Sequence, residues 1–306
     1  MRCRRLAPLL APLALALCLG LPAAARTVTV ETATGPTALT ADPPRVAVMD
    51  IAALDTLDAL GINVAGVPEP HYLPYLDAAA SRATRIGTLF EPDFEALAIL
   101  DPGLIVVGSR SSGQAAALAR IAPTIDMTVT GQDMLAETRA RLQAYGRLFG
   151  RETEAATLEA ALDARIAAAR AAVADKGNAL ILLTNGGKIS AYGRDSRFGW
   201  LHTALGLPEA HPDLGAATHG EAISFEFVAE TDPDWILAID RGAAIGASGE
   251  AAAATLDNPL VRGTEAAQAG QIVYLDSGPL YIAGGGVQSM MHTLDEIVAA
   301  FSADRP

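Results

Sequence analysis

Short apolar runs alternate with helical patterns over most of this 306-residue chain. An apolar run at 45–50 is followed by Leu54, Leu57 and Leu60 at helical spacing, and Gly61 ends the predicted helix. Further strands are predicted at 64–67, 104–107, 179–184 and 235–240, with helices near 94–100 and 200–205. This alternation is typical of βαβ units and predicts an α/β fold with largely parallel sheets. A short β-type segment at 27–30 precedes it.

A long stretch without strand signal interrupts the alternation. Residues 133–175 are rich in Ala, Leu, Arg and Glu and are broken only near Gly146 and Gly150. They predict one helix ending near Phe149 and a second from about Glu152 to Ala174. At 1.5 Å per residue the second helix would be about 30 Å long, the width of a small domain. We interpret it as a rigid bridge, the alternative being an ordinary surface helix within one domain.

An internal repeat favours the bridge. Residues 94–110 align with residues 225–241 at an offset of 131, and residues 58–61 align with 203–206 at an offset of 145. The first match pairs Phe94-Glu95 with Phe225-Glu226, Asp101-Pro102 with Asp232-Pro233, Ile105 with Ile236 and Arg110 with Arg241. An ordered match over a helix, its exit and the next strand predicts two similar lobes. We expect an N-terminal lobe at 26–150, a linking helix at 151–175 and a C-terminal lobe at 176–306.

The first 25 residues have the pattern of a secretory signal peptide. Three arginines precede an apolar run at 6–21, which ends in proline and three alanines at 22–25. This predicts cleavage after Ala25. A transmembrane anchor is disfavoured because the run is short and interrupted by two prolines. Lipid attachment at Cys18 stays open, although Leu17 before it is bulkier than the small residue preferred there.

Charge and cysteine content narrow the function. The full chain has a net charge of −13 from 35 acidic and 22 basic side chains, and loss of the three arginines in residues 1–25 would make it −16. Broad attraction to nucleic acid or anionic lipid is therefore disfavoured, and an anionic partner must be bound locally. Both cysteines, Cys3 and Cys18, lie before the predicted cleavage site, which excludes disulfides, thiolate metal sites and cysteine catalysis in the mature chain.

Arginines are the candidate binding residues. Arg110 and Arg241 follow equivalent strands of the repeat. Ligands of open α/β sheets bind beyond the carboxyl ends of the strands, so two facing lobes would point both side chains into one cleft. Guanidinium groups there suit a planar or multiply charged anion. Arg197, expected at the start of a helix, is a third candidate. Because the chain has 20 arginines and 2 lysines, a single arginine is a weak signal, and the repeat is what distinguishes Arg110 and Arg241.

Enzyme motifs are missing from the sequence. The five histidines form no H-x-H or H-E-x-x-H pair, and no G-x-S-x-G or Walker sequence occurs. The glycines at 284–286 fit a turn before the last helix. Taken alone, His219 would be a loop histidine and Tyr281 a partly buried core tyrosine. We expect a binding protein that is not an enzyme, with a secreted metal-dependent enzyme using His219 and acidic side chains as the alternative.

A series of short segments occurs in a characteristic order. They are residues 50–61, 73–76, 191–193 with 196–199, 218–220 with 223–226, 239–241 and 281–286. Together they resemble the periplasmic binding proteins of ferric-siderophore ABC importers, in particular the branch that binds catecholates of the petrobactin and enterobactin type. The resemblance covers essentially the whole chain after residue 25. It implies two Rossmann-like α/β lobes joined by one long helix, the class III periplasmic binding protein fold, with small lobe movements and no intrinsic cofactor.

The resemblance also implies a role for each candidate. Arg110, Arg197 and Arg241 match the arginines that bind the anionic catecholates. His219 and Tyr281 match the pair that completes the iron coordination when the ligand is tetradentate. This is chemically reasonable because Fe(III) prefers six hard donors and two catechols supply four. One departure is Leu280, which stands where the family has an aromatic residue.

The last implied pair is Glu95 and Glu226, which match the acidic residues, one per lobe, that dock on the permease. Equivalent acids on one two-lobed face suit a transporter with two subunits. The expectation is thus a monomeric periplasmic receptor that takes a ferric catecholate as transported ligand, binds no nucleic acid and delivers its ligand to an inner-membrane ABC permease. A receptor for haem, cobalamin or a hydroxamate stays open.

Overall fold

Two five-stranded sheets with helices around them make up residues 26–215, 217 and 220–303, the part of the chain that the computed structural model describes. The predicted signal peptide at 1–25 and His219 lie outside these residues. The strands are β1 (Thr27–Thr32), β2 (Gly35–Thr40), β3 (Val46–Val48), β4 (Gly66–Val67), β5 (Thr84–Arg85), β6 (Leu104–Val107), β7 (Thr124–Asp126), β8 (Ala179–Asn185), β9 (Lys188–Tyr192), β10 (Glu221–Ile223), β11 (Trp235–Asp240) and β12 (Ile272–Tyr274).

Helices range from one turn to six turns in length. They are α1 (Ile51–Ala59), α2 (Asp77–Ala80), α3 (Phe94–Leu100), α4 (Ala115–Leu118), α5 (Met134–Phe149), α6 (Glu152–Val173), α7 (Trp200–Thr203), α8 (Phe225–Thr231), α9 (Arg241–Ala244), α10 (Ala252–Leu256), α11 (Pro259–Arg262), α12 (Glu265–Gln268), α13 (Ser277–Ile282) and α14 (Val287–Ser302). Among the described residues, no helix combines the length and apolarity needed to cross a membrane.

The N-terminal sheet is parallel throughout, with strand order β5-β4-β3-β6-β7. Every position of β3 and β6 is buried, as expected for parallel strands with both faces covered. Val46 and Val48 belong to one apolar layer and Ala47 to the other. The parallel sheet predicted for this half of the chain is confirmed. The hairpin β1–β2 extends the predicted β segment, and Asp42 N donates to Leu148 O of α5 at 2.9 Å.

The C-terminal sheet has the order β10-β9-β8-β11-β12 and is mixed. Strands β8, β11 and β12 are parallel, whereas β9 is antiparallel to both β8 and β10. Gly186 and Gly187 join β8 to β9 with φ of 54° and 74°. Positive φ at both central residues is the geometry of a tight hairpin turn, so the chain reverses at once instead of crossing over through a helix. The sequence analysis predicted no strand at 188–192, so β9 and its antiparallel pairing were missed.

The repeat seen in the sequence is confirmed by equivalent local structure. Helices α3 and α8 are each seven residues long and start at the predicted offset of 131. Asp93 caps α3 through Ala96 N, and Ser224 caps α8 through Phe227 N. Both helices end at an aspartate in the left-handed region, Asp101 and Asp232, and a proline follows each, which prevents helix continuation.

The chain crosses from one sheet to the other through α6. This helix has 22 residues and is about 33 Å long. One face is buried, with Leu162, Ile166 and Ala169 against neighbouring helices, and α14 packs along it. Arg165 Nε lies 3.0 Å from Asp295 Oδ2 of α14. The long helix is as predicted from its composition, while the boundaries at 150 and 175 stay a prediction.

Candidate functional site: a cationic cleft between the lobes

A cleft of about 460 Å³ opens between the two lobes. Asp50, Phe90 and Arg110 line it from the N-terminal lobe, and Arg197, Leu280 and Tyr281 from the C-terminal lobe. The N-terminal residues all follow strands of their sheet, which is where ligands of open α/β sheets bind. The cleft therefore brings together two of the three predicted arginines and the predicted tyrosine.

Tyr281 is the point on which all three arginines converge. Arg110 donates from Nη2 to the Tyr281 carbonyl at 2.8 Å and from Nη1 to the Ile282 carbonyl at 3.1 Å. Arg197 Nη2 donates to the same Tyr281 carbonyl at 2.9 Å. Arg241 Nε donates to the Tyr281 hydroxyl at 3.2 Å. Three positive charges thus surround one side chain in a protein whose net charge is −13.

Arg197 lies close to two aromatic rings. Its Cζ lies 4.6 Å from the centroid of the Tyr281 ring and 4.8 Å from that of Phe198. Burial, reinforced by the charge of Arg110, lowers the pKa of Arg197 from its ordinary value. A guanidinium stays charged under such a shift, and its attraction to an anion is stronger where water is excluded. The Arg110 Cζ is 5.7 Å from the Tyr281 centroid, so two guanidinium groups lie close to this ring.

Arg197 lies in a turn rather than at the start of the predicted helix. Ser196 Oγ donates to the Gly193 carbonyl at 2.6 Å, and a Cβ on Gly199 would lie 2.0 Å from the Arg194 carbonyl oxygen. The following helix, α7, is one turn long and ends at Thr203. The expectation of a helix N-terminus assisting Arg197 is therefore wrong, because the tight turn leaves too little helix to act as an anion site.

Arg110 and Arg241 occupy equivalent places after β6 and β11, as the repeat predicts. Arg241 is the first residue of α9, whose N-cap Asp240 accepts from Ala243 N at 3.0 Å. Arg110 lies in the turn after β6, next to Gly108. A Cβ on Gly108 would lie 2.2 Å from Asp50 Oδ2, so the chain can pass here only with glycine. Arg241 does not line the main cleft but reaches Tyr281 from its side.

Tyr281 belongs to α13, and the three glycines after it form the turn into α14. Gly285 has a φ of 91°, and Gly286 is the N-cap residue of α14. A Cβ on Gly286 would lie 2.5 Å from Asp55 Oδ1, so the absence of a side chain at Gly286 lets the backbone approach Asp55 of α1 closely. The interpretation of these glycines as a turn is confirmed.

One of the two predicted iron ligands lies within the described residues. Tyr281 lies in the cleft, and its hydroxyl accepts from Arg241. His219 lies outside the described residues, so its role stays a prediction. Among the residues that the structure describes, no group of three or more His, Cys, Asp or Glu side chains could hold a metal ion. The chemistry of the described cleft is that of a cationic pocket for an anionic ligand.

A buried carboxylate that the sequence analysis did not single out joins the lobes. Asp55 of α1 accepts from the Tyr75 hydroxyl at 2.7 Å, from Gln288 N at 2.8 Å and from Ser289 N at 3.0 Å. Asp55 is fully buried, and this burial raises its pKa to about 7. Both backbone donors belong to the first turn of α14. Asp55 therefore ties the N-terminal lobe to the last helix of the chain.

Asp50 and Phe90 are further cleft residues that were missed. Asp50 is the second residue after β3, so the rule that selected Arg110 could have selected it as well. Phe90 lies in the loop before α3 and carries no signal in the sequence that distinguishes it from other loop residues.

The predicted docking residues are exposed and equivalent. Glu95 and Glu226 are the second residues of α3 and α8. Hydrogen bonds from its own backbone N–H and from Ser224 lower the pKa of Glu226. Their assignment to permease docking stays a prediction.

Known proteins share this sequence pattern and this architecture. The sequence profile of the family described as periplasmic binding protein matches residues 46–279. The chain is 35% identical over 261 residues to the petrobactin-binding protein YclQ of Bacillus subtilis, covering 84% of this chain and 82% of YclQ. The crystal structure of YclQ superposes with a TM-score of 0.85 and 32% identity over 91% of this chain and all of that one.

Two other solved structures are similar. The periplasmic catecholate-siderophore binding protein VctP of Vibrio cholerae has a TM-score of 0.83 at 32% identity, covering 91% of this chain and 100% of VctP. BauB, solved with two molecules of acinetobactin and ferric iron, has a TM-score of 0.83 at 28% identity with the same coverage. The predicted fold, two α/β lobes joined by a long helix, is confirmed.

Proposed function

The chain belongs to the periplasmic binding protein family, and we propose that it captures a ferric siderophore in the cleft between its lobes and delivers it to an ABC importer. The family consists of substrate-binding proteins. The observation that carries the proposal is the convergence of Arg110, Arg197 and Arg241 on Tyr281. An acidic protein that gathers three guanidinium groups around one cleft tyrosine is suited to hold an anion there.

The siderophore is proposed to be a catecholate. Catecholate oxygens are anionic and planar with their ring, so they suit both the forked donors of arginine and the aromatic faces of Tyr281 and Phe198. The names of YclQ and VctP, which refer to petrobactin and to catecholate siderophores, support this class. Ferric iron arrives as part of the ligand. We propose that Tyr281 and His219 complete its coordination, since a phenolate and an imidazole supply the two donors that a tetradentate ligand leaves open.

Binding is tested by titrating the chain without residues 1–25 with a ferric bis-catecholate. Trp200 is three residues from Arg197, so quenching of its fluorescence reports occupancy, and the visible charge-transfer band reports the iron. We expect saturable binding at micromolar ligand or below. No binding there, together with binding of haem, cobalamin or a ferric hydroxamate, would falsify the catecholate assignment and favour one of those chelates.

Iron ligation is tested separately with Tyr281→Phe and His219→Ala. Each substitution removes one proposed donor, so we expect the charge-transfer band to shift and weaken. An unchanged band with retained affinity contradicts the ligand assignment but not the binding function. The matched control is Tyr274→Phe, which removes an exposed hydroxyl on β12.

Delivery is proposed to use Glu95 and Glu226 on the two lobes of a monomer exported to the periplasm by residues 1–25. The double substitution to arginine should leave ligand affinity unchanged, because both side chains are exposed outside the cleft. Uptake of radioactive iron by cells that depend on this receptor should fall by at least tenfold. Glu230→Arg, an exposed change on the same helix α8, is the control. Normal uptake by the double variant contradicts the docking role.

A further inference from the structure

Asp50 is the one acidic side chain among the described residues that line the cleft. It is only 9% exposed, and Oδ1 caps α1 by accepting from Ala53 N at 2.9 Å. The other oxygen, Oδ2, lies against Gly108. Within residues 26–215, 217 and 220–303, no arginine, lysine or histidine forms an ion pair with Asp50. A buried carboxylate in a ligand cleft therefore has no counter-charge.

Arg110 does not serve as that counter-charge, although it is close enough to favour the ionised form of Asp50. Its two Nη atoms donate across the cleft to the carbonyls of Tyr281 and Ile282. Desolvation is the largest influence on Asp50 and raises its pKa. Burial therefore outweighs the effect of Arg110, and a further positive group in contact with the carboxylate would offset the cost of ionisation.

Phe90 and this carboxylate both line the cleft from the N-terminal lobe. In the sheet order β5-β4-β3-β6, Phe90 belongs to the loop after β5, Asp50 to the segment after β3 and Arg110 to the turn after β6, and all three line the cleft. Phe90 is 60% exposed. Thr88 Oγ1 accepts from Phe90 N at 3.3 Å and from Glu91 N at 3.0 Å, which holds the ring in an ordered turn. An exposed aromatic face attracts cations.

We propose that Asp50 and Phe90 form a subsite for an ammonium group of the same ligand whose anionic part is held by the three arginines. This inference rests on the proposed function and narrows its substrate class to ferric catecholates that carry an amine. A positive arm supplies the counter-charge that Asp50 lacks, and the Phe90 ring covers its apolar carbons. The two walls of the cleft then recognise two different charges, which selects for a zwitterionic chelate over a purely anionic one.

The test compares two synthetic ferric bis-catecholates that differ at one atom of the linker between the catechols, a secondary ammonium in one and a methylene in the other. We expect the wild-type protein to bind the ammonium chelate about tenfold more tightly. Asp50→Asn keeps an oxygen that can cap α1 but removes the charge, so we expect it to fold normally and to bind both chelates equally. Phe90→Leu should weaken the ammonium chelate by roughly threefold, the scale of an exposed cation–π contact.

The control is Glu91→Gln, which removes an exposed carboxylate next to Phe90 in the sequence that does not line the cleft. It should retain the full preference of the wild type. Equal binding of both chelates by the wild-type protein overturns this subsite and leaves the proposed function standing. A preference that survives in Asp50→Asn also overturns it. Binding of neither chelate overturns the proposed function, and this subsite with it.

Discussion

The N-terminal and C-terminal lobes share a framework but contribute different chemistry to the cleft. Both have a five-stranded sheet, with all strands parallel in the N-terminal lobe and three parallel strands, β8, β11 and β12, in the C-terminal lobe. Both contain the same capped helix at equivalent positions, α3 and α8. The C-terminal lobe supplies Arg197, Arg241 and Tyr281, a cationic and aromatic wall. Besides Arg110, the N-terminal lobe supplies a carboxylate and an exposed ring.

The repeat-equivalent arginines make the difference clearest. Arg110 crosses the cleft to the backbone of Tyr281, whereas Arg241 contacts the hydroxyl of the same residue from within its own lobe. Equivalent positions in a repeat therefore keep the side chain but not its partner. A second difference is Asp55, whose equivalent at the offset of 145 is the buried Trp200. The buried carboxylate that contacts α14 exists in one lobe alone.

The largest expected effect comes from removing that contact. Asp55→Ala leaves the Tyr75 hydroxyl and two backbone N–H groups of α14 without their acceptor, and we expect a loss of about 3 kcal/mol in the free energy of unfolding. Urea denaturation measures it. Asp58→Ala is the control, because Asp58 is half-buried and accepts a single bond, from Gln288 Nε2 at 3.2 Å. Equal losses in the two variants would contradict the special role of Asp55.

Arginine substitutions test whether the C-terminal wall dominates binding. We expect Arg197→Met to weaken ferric bis-catecholate binding by about 30-fold, since a charged hydrogen bond is worth about 2 kcal/mol. Arg110→Met should lose less, about fivefold, because Arg110 must give up two carbonyl bonds to reach the ligand. Fluorescence titration measures both, with the exposed Arg120→Met as control. A larger loss for Arg110 than for Arg197 would reverse this ranking of the two walls.

The pH dependence of the free energy of unfolding should reveal the titration of Asp55, which is present in the N-terminal lobe alone. The pKa of this carboxyl is about 7 in the folded protein and near 3.8 when unfolded, so the native state holds the extra proton between those values. Its contribution to stability is complete below pH 4 and is lost as pH rises to 7, by up to about 1.4 kcal/mol per pH unit. The free energies of unfolding of the wild type and of Asp55→Asn, measured across pH 4–8, isolate the contribution of this carboxyl. Parallel pH profiles in the two proteins would rule out this titration.

The smallest effect tests the equivalence of the repeated helices. Asp93→Ala and Ser224→Ala each remove an N-cap acceptor, from α3 and α8, and each should cost about 1 kcal/mol. Equal losses by thermal or urea unfolding support matched roles in the two lobes. A loss in one variant with none in the other would show that the repeat has diverged at its caps.

Much of the framework could be predicted because it depends on local patterns. The apolar run around Val46, the composition of 152–174 and the repeated Asp-Pro exits each specify an element within a few residues along the chain. Strand β9 was missed because the reversal that creates it depends on the backbone conformation of Gly186 and Gly187 and not on apolar periodicity. The helix predicted at 200–205 begins at Trp200 as expected but ends at Thr203, two residues earlier than predicted.

The sequence by itself determined the fold class, the repeat, the long helix and the identity of the arginines and the tyrosine. Only the tertiary structure decided what these residues contact. Arg110 and Tyr281 are 171 positions apart, and Asp55 and Ser289 are 234 apart. Local periodicity carries no information about such pairs. They meet because the two sheets are joined by one helix and α14 returns to α1. That packing surrounds Tyr281 with positive charge and leaves Asp50 without an ion pair among the described residues.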